Sequence, residues 1–127
     1  MADMKVLKVL VVEDESTIRL TLSYVLRKAG YSVSTCSSLD EVSKFMNGEQ
    51  IFLVLVDLVL GNKGKLEGLE IVRAIKRRSL ETRIIVMTAY GSAEVKQEAL
   101  TAGASSYWDK PLDLEKLLDE IHRLKPS

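Results

Sequence analysis

The chain has 127 residues, enough for one domain with little room for a second, and its 46% hydrophobic content suffices for a buried core. Lys and Arg total 18 and Asp and Glu total 18, so the zero formal charge excludes a basic field able to hold nucleic acid directly. A single cysteine excludes an internal disulfide or a multi-cysteine metal site, and no apolar run is long enough for a membrane span or laid out as a signal peptide. The expectation is one soluble, cytoplasmic domain.

Apolar runs and helical patterns alternate along the whole chain. Residues 6–12 (VLKVLVV) read as a strand buried on both faces. Ser16 and Thr17 then open a helical stripe of Ile18, Leu22, Val25, Leu26 and Ala29, with Gly30 placed as a C-terminal cap. Residues 31–36 (YSVSTC) alternate as an edge strand would, and Leu39, Val42 and Met46 mark a shorter helix ending near Asn47 and Gly48. Residues 51–56 (IFLVLV) form the most apolar run, the candidate central strand, and stop abruptly at Asp57.

The segment 61–68 (GNKGKLEG) carries three glycines in eight residues and reads as a loop. Leu69, Val72 and Ile75 define a third helix, and residues 84–87 (IIVM) a fourth buried strand. Val95, Ala99 and Ala102 place a fourth helix closed by Gly103. Residues 105–108 form a short polar fifth strand, and Leu114, Leu117, Leu118, Ile121 and Leu124 give an amphipathic last helix. Five strands alternating with five helices imply an α/β fold, a parallel sheet covered on both faces, because parallel strands need crossover connections.

Polar residues fall at particular places in this pattern. Glu13 and Asp14 follow the first strand, Asp57 the third, Thr88 the fourth and Lys110 the fifth. The carboxyl ends of parallel strands share one edge of the sheet, where ligands bind. Three converging carboxylates repel unless protonated or held by a cation, and all-oxygen ligation suits Mg²⁺. A carboxylate can attack phosphorus to give an acyl phosphate, and an ammonium and a hydroxyl can then neutralise the transferring group. Taken singly, each of these residues is an ordinary turn or cap residue. Their joint placement after four strands carries the argument.

Four segments resemble response-regulator receiver domains of two-component signalling. Residues 9–15 (VLVVEDE) are similar to the family's opening and residues 55–60 (LVDLVL) to its phosphoacceptor segment. Residues 86–91 (VMTAYG) are similar to its switch-threonine segment and residues 103–111 (GASSYWDKP) to its closing lysine-proline motif. The resemblance runs from residue 5 to residue 124 and implies one (βα)5 receiver domain, doubly wound and flavodoxin-like, with strand order 2-1-3-4-5.

For the site, the resemblance implies Mg²⁺ held by Glu13, Asp14, Asp57 and the backbone carbonyl of Val59. It further implies phosphorylation of Asp57, with Thr88 and Lys110 on the phosphoryl oxygens and Tyr107 as an aromatic rotor coupled to Thr88. The Lys110–Pro111 bond is often cis in the family. The implied partners are a histidine kinase or histidine phosphotransfer protein and a downstream effector domain or protein, with no direct nucleic-acid or membrane partner. The implied output face comprises the fourth helix, fifth strand and fifth helix. One departure stands out: Gly61 occupies the usual proline position, and the interval from Asp57 to Gly68, which matches the glycine opening the family's third helix, is a few residues longer than the family's.

Other features read more plainly. The glycines at 61, 64 and 68 lack the Gly-Lys-Ser/Thr ending of a phosphate loop. His122 is expected to face solvent, Cys36 to pack as a small hydrophobe, Trp108 to serve either core or surface, and Tyr90 to border the site. Two rivals follow: a phosphatase or phosphotransferase using Asp57, which would want a second carboxylate where Val59 stands, and a receiver that is never phosphorylated. The reading adopted is a signalling receiver that catalyses only its own phosphorylation and dephosphorylation.

Overall fold

In a computed structural model the described residues are 6–48, 50–60 and 67–126. Five strands, β1 (Lys8–Val12), β2 (Ser32–Cys36), β3 (Leu53–Asp57), β4 (Arg83–Thr88) and β5 (Ser106–Asp109), alternate with five helices. The helices are α1 (Ser16–Lys28), α2 (Leu39–Met46), α3 (Glu67–Arg78), α4 (Ala93–Ala102) and α5 (Leu114–Leu124). All strand pairs are parallel, in the order β2-β1-β3-β4-β5. The expected architecture and order therefore hold, with β3 central and the more polar β2 and β5 at the edges.

Strand residues point alternately to the two faces, and in the three inner strands both sets are apolar. Leu10, Val12, Val54, Val56, Ile84 and Val86 join the core beneath α2, α3 and α4. Val9, Val11, Leu53, Leu55, Ile85 and Met87 join a second core beneath α1 and α5. Each fully buried Val, Leu or Ile side chain contributes roughly 1.5–3 kcal/mol relative to exposure. The same alternation sends adjacent β5 residues to opposite sides, Tyr107 toward the α2–α4 core and Trp108 toward the α1/α5 core. Trp108 is half-buried, its indole N–H donating to Ser106 Oγ at 3.2 Å.

Helix starts follow local capping chemistry. Ser38 Oγ accepts from the Glu41 N–H to begin α2, Ser92 Oγ accepts from Val95 N–H to begin α4, and Asp113 accepts from Lys116 N–H to begin α5. Gly103 ends α4 at φ 120°, a conformation that favours glycine.

Three sequence expectations need correction. Ala29 does not join the buried stripe of α1; it is the exposed C-cap residue, while Ser23 is buried instead, its hydroxyl bonded to the Arg19 carbonyl. Glu67 and Gly68 belong to the first turn of α3, whereas the remainder of the expected loop, 61–66, lies outside the described residues. Asp57 and Thr88 are the last residues of β3 and β4 themselves, so the ladder fixes their backbones. Leu58 N–H donates to Met87 O at 2.9 Å just beyond Asp57 and extends that register by a further bond.

Candidate functional site

The strands deliver their polar termini to one edge of the sheet. β1 lies between β2 and β3, and Glu13 is anchored just past β1 by its N–H to Cys36 O, 3.0 Å. Glu13 is wholly buried, Asp57 is 6% exposed, and Asp14 is exposed. Carboxylate oxygens of Glu13, Asp14 and Asp57 lie within 4.8 Å of one another. Two of these acids are thus buried and the third opens to solvent.

Lys110 reaches this group from just past β5. Its ammonium Nζ donates to Glu13 Oε1 at 2.7 Å and to Asp57 Oδ2 at 2.9 Å. Lys110 N–H bonds to Thr88 O at 2.9 Å, and the following Lys110–Pro111 peptide is cis. Burial alone would lower the lysine's pKa, but the hydrogen bonds and charges of Glu13 and Asp57 outweigh it and hold Lys110 above its ordinary value. Burial pushes the Glu13 carboxyl up, opposed by Lys110 and reinforced by the Asp57 charge.

The remaining predicted residues sit around this centre. Val59 N–H donates to Asp57 Oδ1 at 3.1 Å, turning the chain immediately after β3. Thr88 is fully buried beside Asp57's ladder partner Met87, and its Oγ1 accepts from Tyr90 N–H at 3.0 Å. Tyr90 itself is 76% exposed at the rim. Tyr107 is half-buried, and its hydroxyl oxygen is buried without a well-formed hydrogen bond. Burial, then the nearby Asp109 charge, push its phenol above the ordinary range.

Sequence reasoning missed Arg19. From α1 its Nη1 donates to the Glu13 carbonyl at 2.8 Å and ties the β1–α1 turn to the helix. The signal was available, since Arg19 sits five positions past Asp14, one turn into α1, but an arginine on a helix usually faces solvent. Gly68 closes the expected loop in the sequence and matches the glycine that opens the family's third helix, but its contact with the site was not legible there. A Cβ there would strike the Asp57 carbonyl oxygen and lie 2.6 Å from Leu58 Cα, so α3 packs directly on the backbone that carries Asp57.

Cys36 is buried in the core, and His122 is exposed, as expected. His122 nonetheless has a partner, its Nδ1 lying 3.0 Å from the Tyr31 hydroxyl.

Oxygen ligands, two negative charges buried beside a lysine, and a third carboxylate at the mouth form a donor set that suits a hard divalent ion such as Mg²⁺. A parallel sheet in this order, with such a set at its carboxyl edge, defines an α/β domain with a ligand site at its topological switch point. The model of the response regulator receiver domain matches residues 9–122, and the chain belongs to that family.

Among relatives, it is 30% identical over 119 residues to sporulation initiation phosphotransferase F of Bacillus subtilis, covering 94% of each chain. It is 31% identical over 110 residues to the alginate biosynthesis transcriptional regulatory protein AlgB of Pseudomonas syringae, covering 87% of this chain and 24% of that one. Thus it spans nearly all of the first relative and about a quarter of the second. A response regulator from Thermotoga maritima superposes with a TM-score of 0.84 at 28% identity, over 94% of this chain and 98% of that chain.

The chain is therefore a receiver of two-component response regulators, a class of signalling modules switched by phosphorylation. Receiver domains bind Mg²⁺ at an acidic pocket, and Glu13, Asp14 and Asp57 form such a group here. The family implies histidine kinase or phosphotransfer partners. Among the described residues, no helix is long and apolar enough to cross a membrane.

Proposed function

We propose that this chain, as a domain of residues 5–124, takes a phosphoryl group from a histidine kinase or histidine phosphotransfer protein onto Asp57. The observation that carries the reading is the Lys110 ammonium, held 2.9 Å from Asp57 Oδ2 and 2.7 Å from Glu13 Oε1. An Asp57 oxygen attacks phosphorus as the bond from phosphorus to the donor's imidazole nitrogen breaks, giving an acyl phosphate on Asp57. Mg²⁺, held by Glu13, Asp14, Asp57 and the Val59 carbonyl, would neutralise charge on the phosphoryl group.

Lys110 already stands within reach and supplies the fixed positive charge on the other side. Thr88 Oγ1 takes the Tyr90 N–H, and its own hydroxyl proton is directed to a phosphoryl oxygen. Drawing Thr88 toward that oxygen biases Tyr107, and with it the face made by α4, β5 and α5, which a downstream effector domain or protein reads. Catalysis is confined to the domain's own phosphorylation and hydrolysis, since the position two beyond Asp57 is Val59 and offers no general acid. The same reading places the domain in the cytoplasm, where histidine kinases present their donors.

The test is Mg²⁺-dependent labelling by acetyl phosphate. One phosphoryl group, labile to base and hydroxylamine, is expected on the parent and none on Asp57→Asn. Stoichiometric labelling of that variant at a serine or threonine would sink the assignment.

A further inference from the structure

Tyr107 and Gly91 are coupled by shape. Tyr107 reaches from β5 on the α2–α4 side of the sheet, and its ring ends against the backbone of the β4–α4 loop at Gly91. A Cβ at position 91 would overlap the Tyr107 hydroxyl oxygen, lie 2.9 Å from its Cζ and lie 2.6 Å from Asp109 Oδ1. No real Cβ makes such contacts, so a side chain at 91 forces the Tyr107 ring and the Asp109 carboxylate to shift away. The glycine is not explained by its backbone, because its φ lies outside the positive range taken by Gly30, Gly48 and Gly103. What the position requires is empty space.

That space is a finished seat on its other sides. Ser92 follows Gly91 as the N-cap of α4, its backbone N–H near the phenol, and Asp109 flanks the hydroxyl from β5. The phenol oxygen is nevertheless buried without a well-formed bond.

We propose that Gly91 is the positioning residue that admits Tyr107 to its inward seat, with Asp109 beside the hydroxyl, so that position 91 decides whether this tyrosine has two positions or one. The inference deepens the reading of Tyr107 as the switch and rests on it. It also gives a substitution rule: any side chain at 91 leaves Asp57 chemistry intact while confining Tyr107 to the outside.

The experiment compares parent, Gly91→Ala, Tyr107→Ala and the double variant, each with and without phosphorylation by acetyl phosphate and Mg²⁺. In the parent, nuclear Overhauser contacts should join the Tyr107 ring to Ser92 and Asp109. In Gly91→Ala those contacts should vanish and the amide shifts of α4 and β5 should no longer respond to phosphorylation, although Asp57 is labelled to the parent's extent. If Gly91→Ala folds poorly, adding Tyr107→Ala should restore its stability to that of Tyr107→Ala alone, because the clash is then gone. Persisting ring contacts in Gly91→Ala, or an equal destabilisation with and without Tyr107, would overturn the seat. A parent whose Tyr107 ignores phosphorylation removes only the switch reading; displacement of the ring by Gly91→Ala would still support the seat.

Discussion

Lys110 stands 2.9 Å from Asp57 across 53 positions of sequence, and the same ammonium is 2.7 Å from Glu13, 97 positions away. One cation thus neutralises two buried carboxylates contributed by two different strand ends. Removing one partner of a buried charge cluster is far more costly than never having built it, about 3–5 kcal/mol for a lost ion-pair partner. Lys110→Met should therefore be destabilised in the absence of divalent ions. Mg²⁺ should then raise its stability more than the parent's, since a ligand that binds only the folded state stabilises by mass action and here also relieves the repulsion. Denaturant melts with Mg²⁺ or with EDTA measure this; an equal Mg²⁺ effect on both proteins would contradict the shared-cation account.

Asp14 differs from its neighbours in being exposed. On the proposed reading its loss removes a metal ligand without opening the core, so Asp14→Ala should fold as well as the parent. Loss of even an outer-shell partner typically weakens metal affinity by about 10–100-fold. Asp14→Ala should bind Mg²⁺ at least that much more weakly and be labelled by acetyl phosphate correspondingly slowly. Titration giving equal affinities would remove Asp14 from the ligand set.

Thr88→Ala should still be phosphorylated at Asp57, because Lys110 and the acidic group are untouched. It should lose most of the phosphorylation-dependent change at Tyr107. Trp108 is a weaker reporter than its neighbour, since alternation along β5 turns it to the α1/α5 side of the sheet. Amide and ring shifts of Tyr107 are the better measurement, and unchanged responses in the variant would refute the coupling.

Gly68→Ala should act on Asp57 from behind. The new Cβ meets the Asp57 carbonyl and Leu58 Cα, both backbone, which cannot rotate aside. Overpacking of this kind costs roughly 1–3 kcal/mol. The displaced Asp57 should also be labelled more slowly than in the parent. A variant with the parent's melting point and labelling rate would show that α3 does not press on the site.

Burial, reinforced by the Glu41 charge, pushes the Cys36 thiol up from 9.0 to about 12. A folded-state value above the unfolded one means the native state holds its proton more tightly. The resulting stability is full below pH 9.0 and is lost as pH rises toward about 12. Tyr31, raised by burial, adds in the same direction. Cys36→Ala should therefore show a shallower alkaline loss of stability than the parent in denaturant midpoints across that range. The native thiol should also resist iodoacetamide at pH 8 and react on unfolding. Rapid alkylation of the folded protein would contradict the burial argument.

The alternation of apolar runs with amphipathic helices determined the (βα)5 architecture, because a strand apolar on both faces must be covered on both. The positions of Glu13, Asp14, Asp57, Thr88 and Lys110 at strand ends were legible for the same reason, since parallel strands bring all carboxyl ends to one edge. Strand order came only from resemblance, because periodicity is blind to which strands are neighbours.

Tertiary structure alone decided the rest. That Lys110 bridges Glu13 and Asp57 depends on β5 lying on the far side of β4, and that Arg19 holds the Glu13 carbonyl depends on how α1 leaves β1. Gly68 and Gly91 look in sequence like loop glycines. Their meaning is the volume they leave empty, against the Asp57 backbone and the Tyr107 hydroxyl respectively, and an absent side chain carries no pattern until its neighbour is in place.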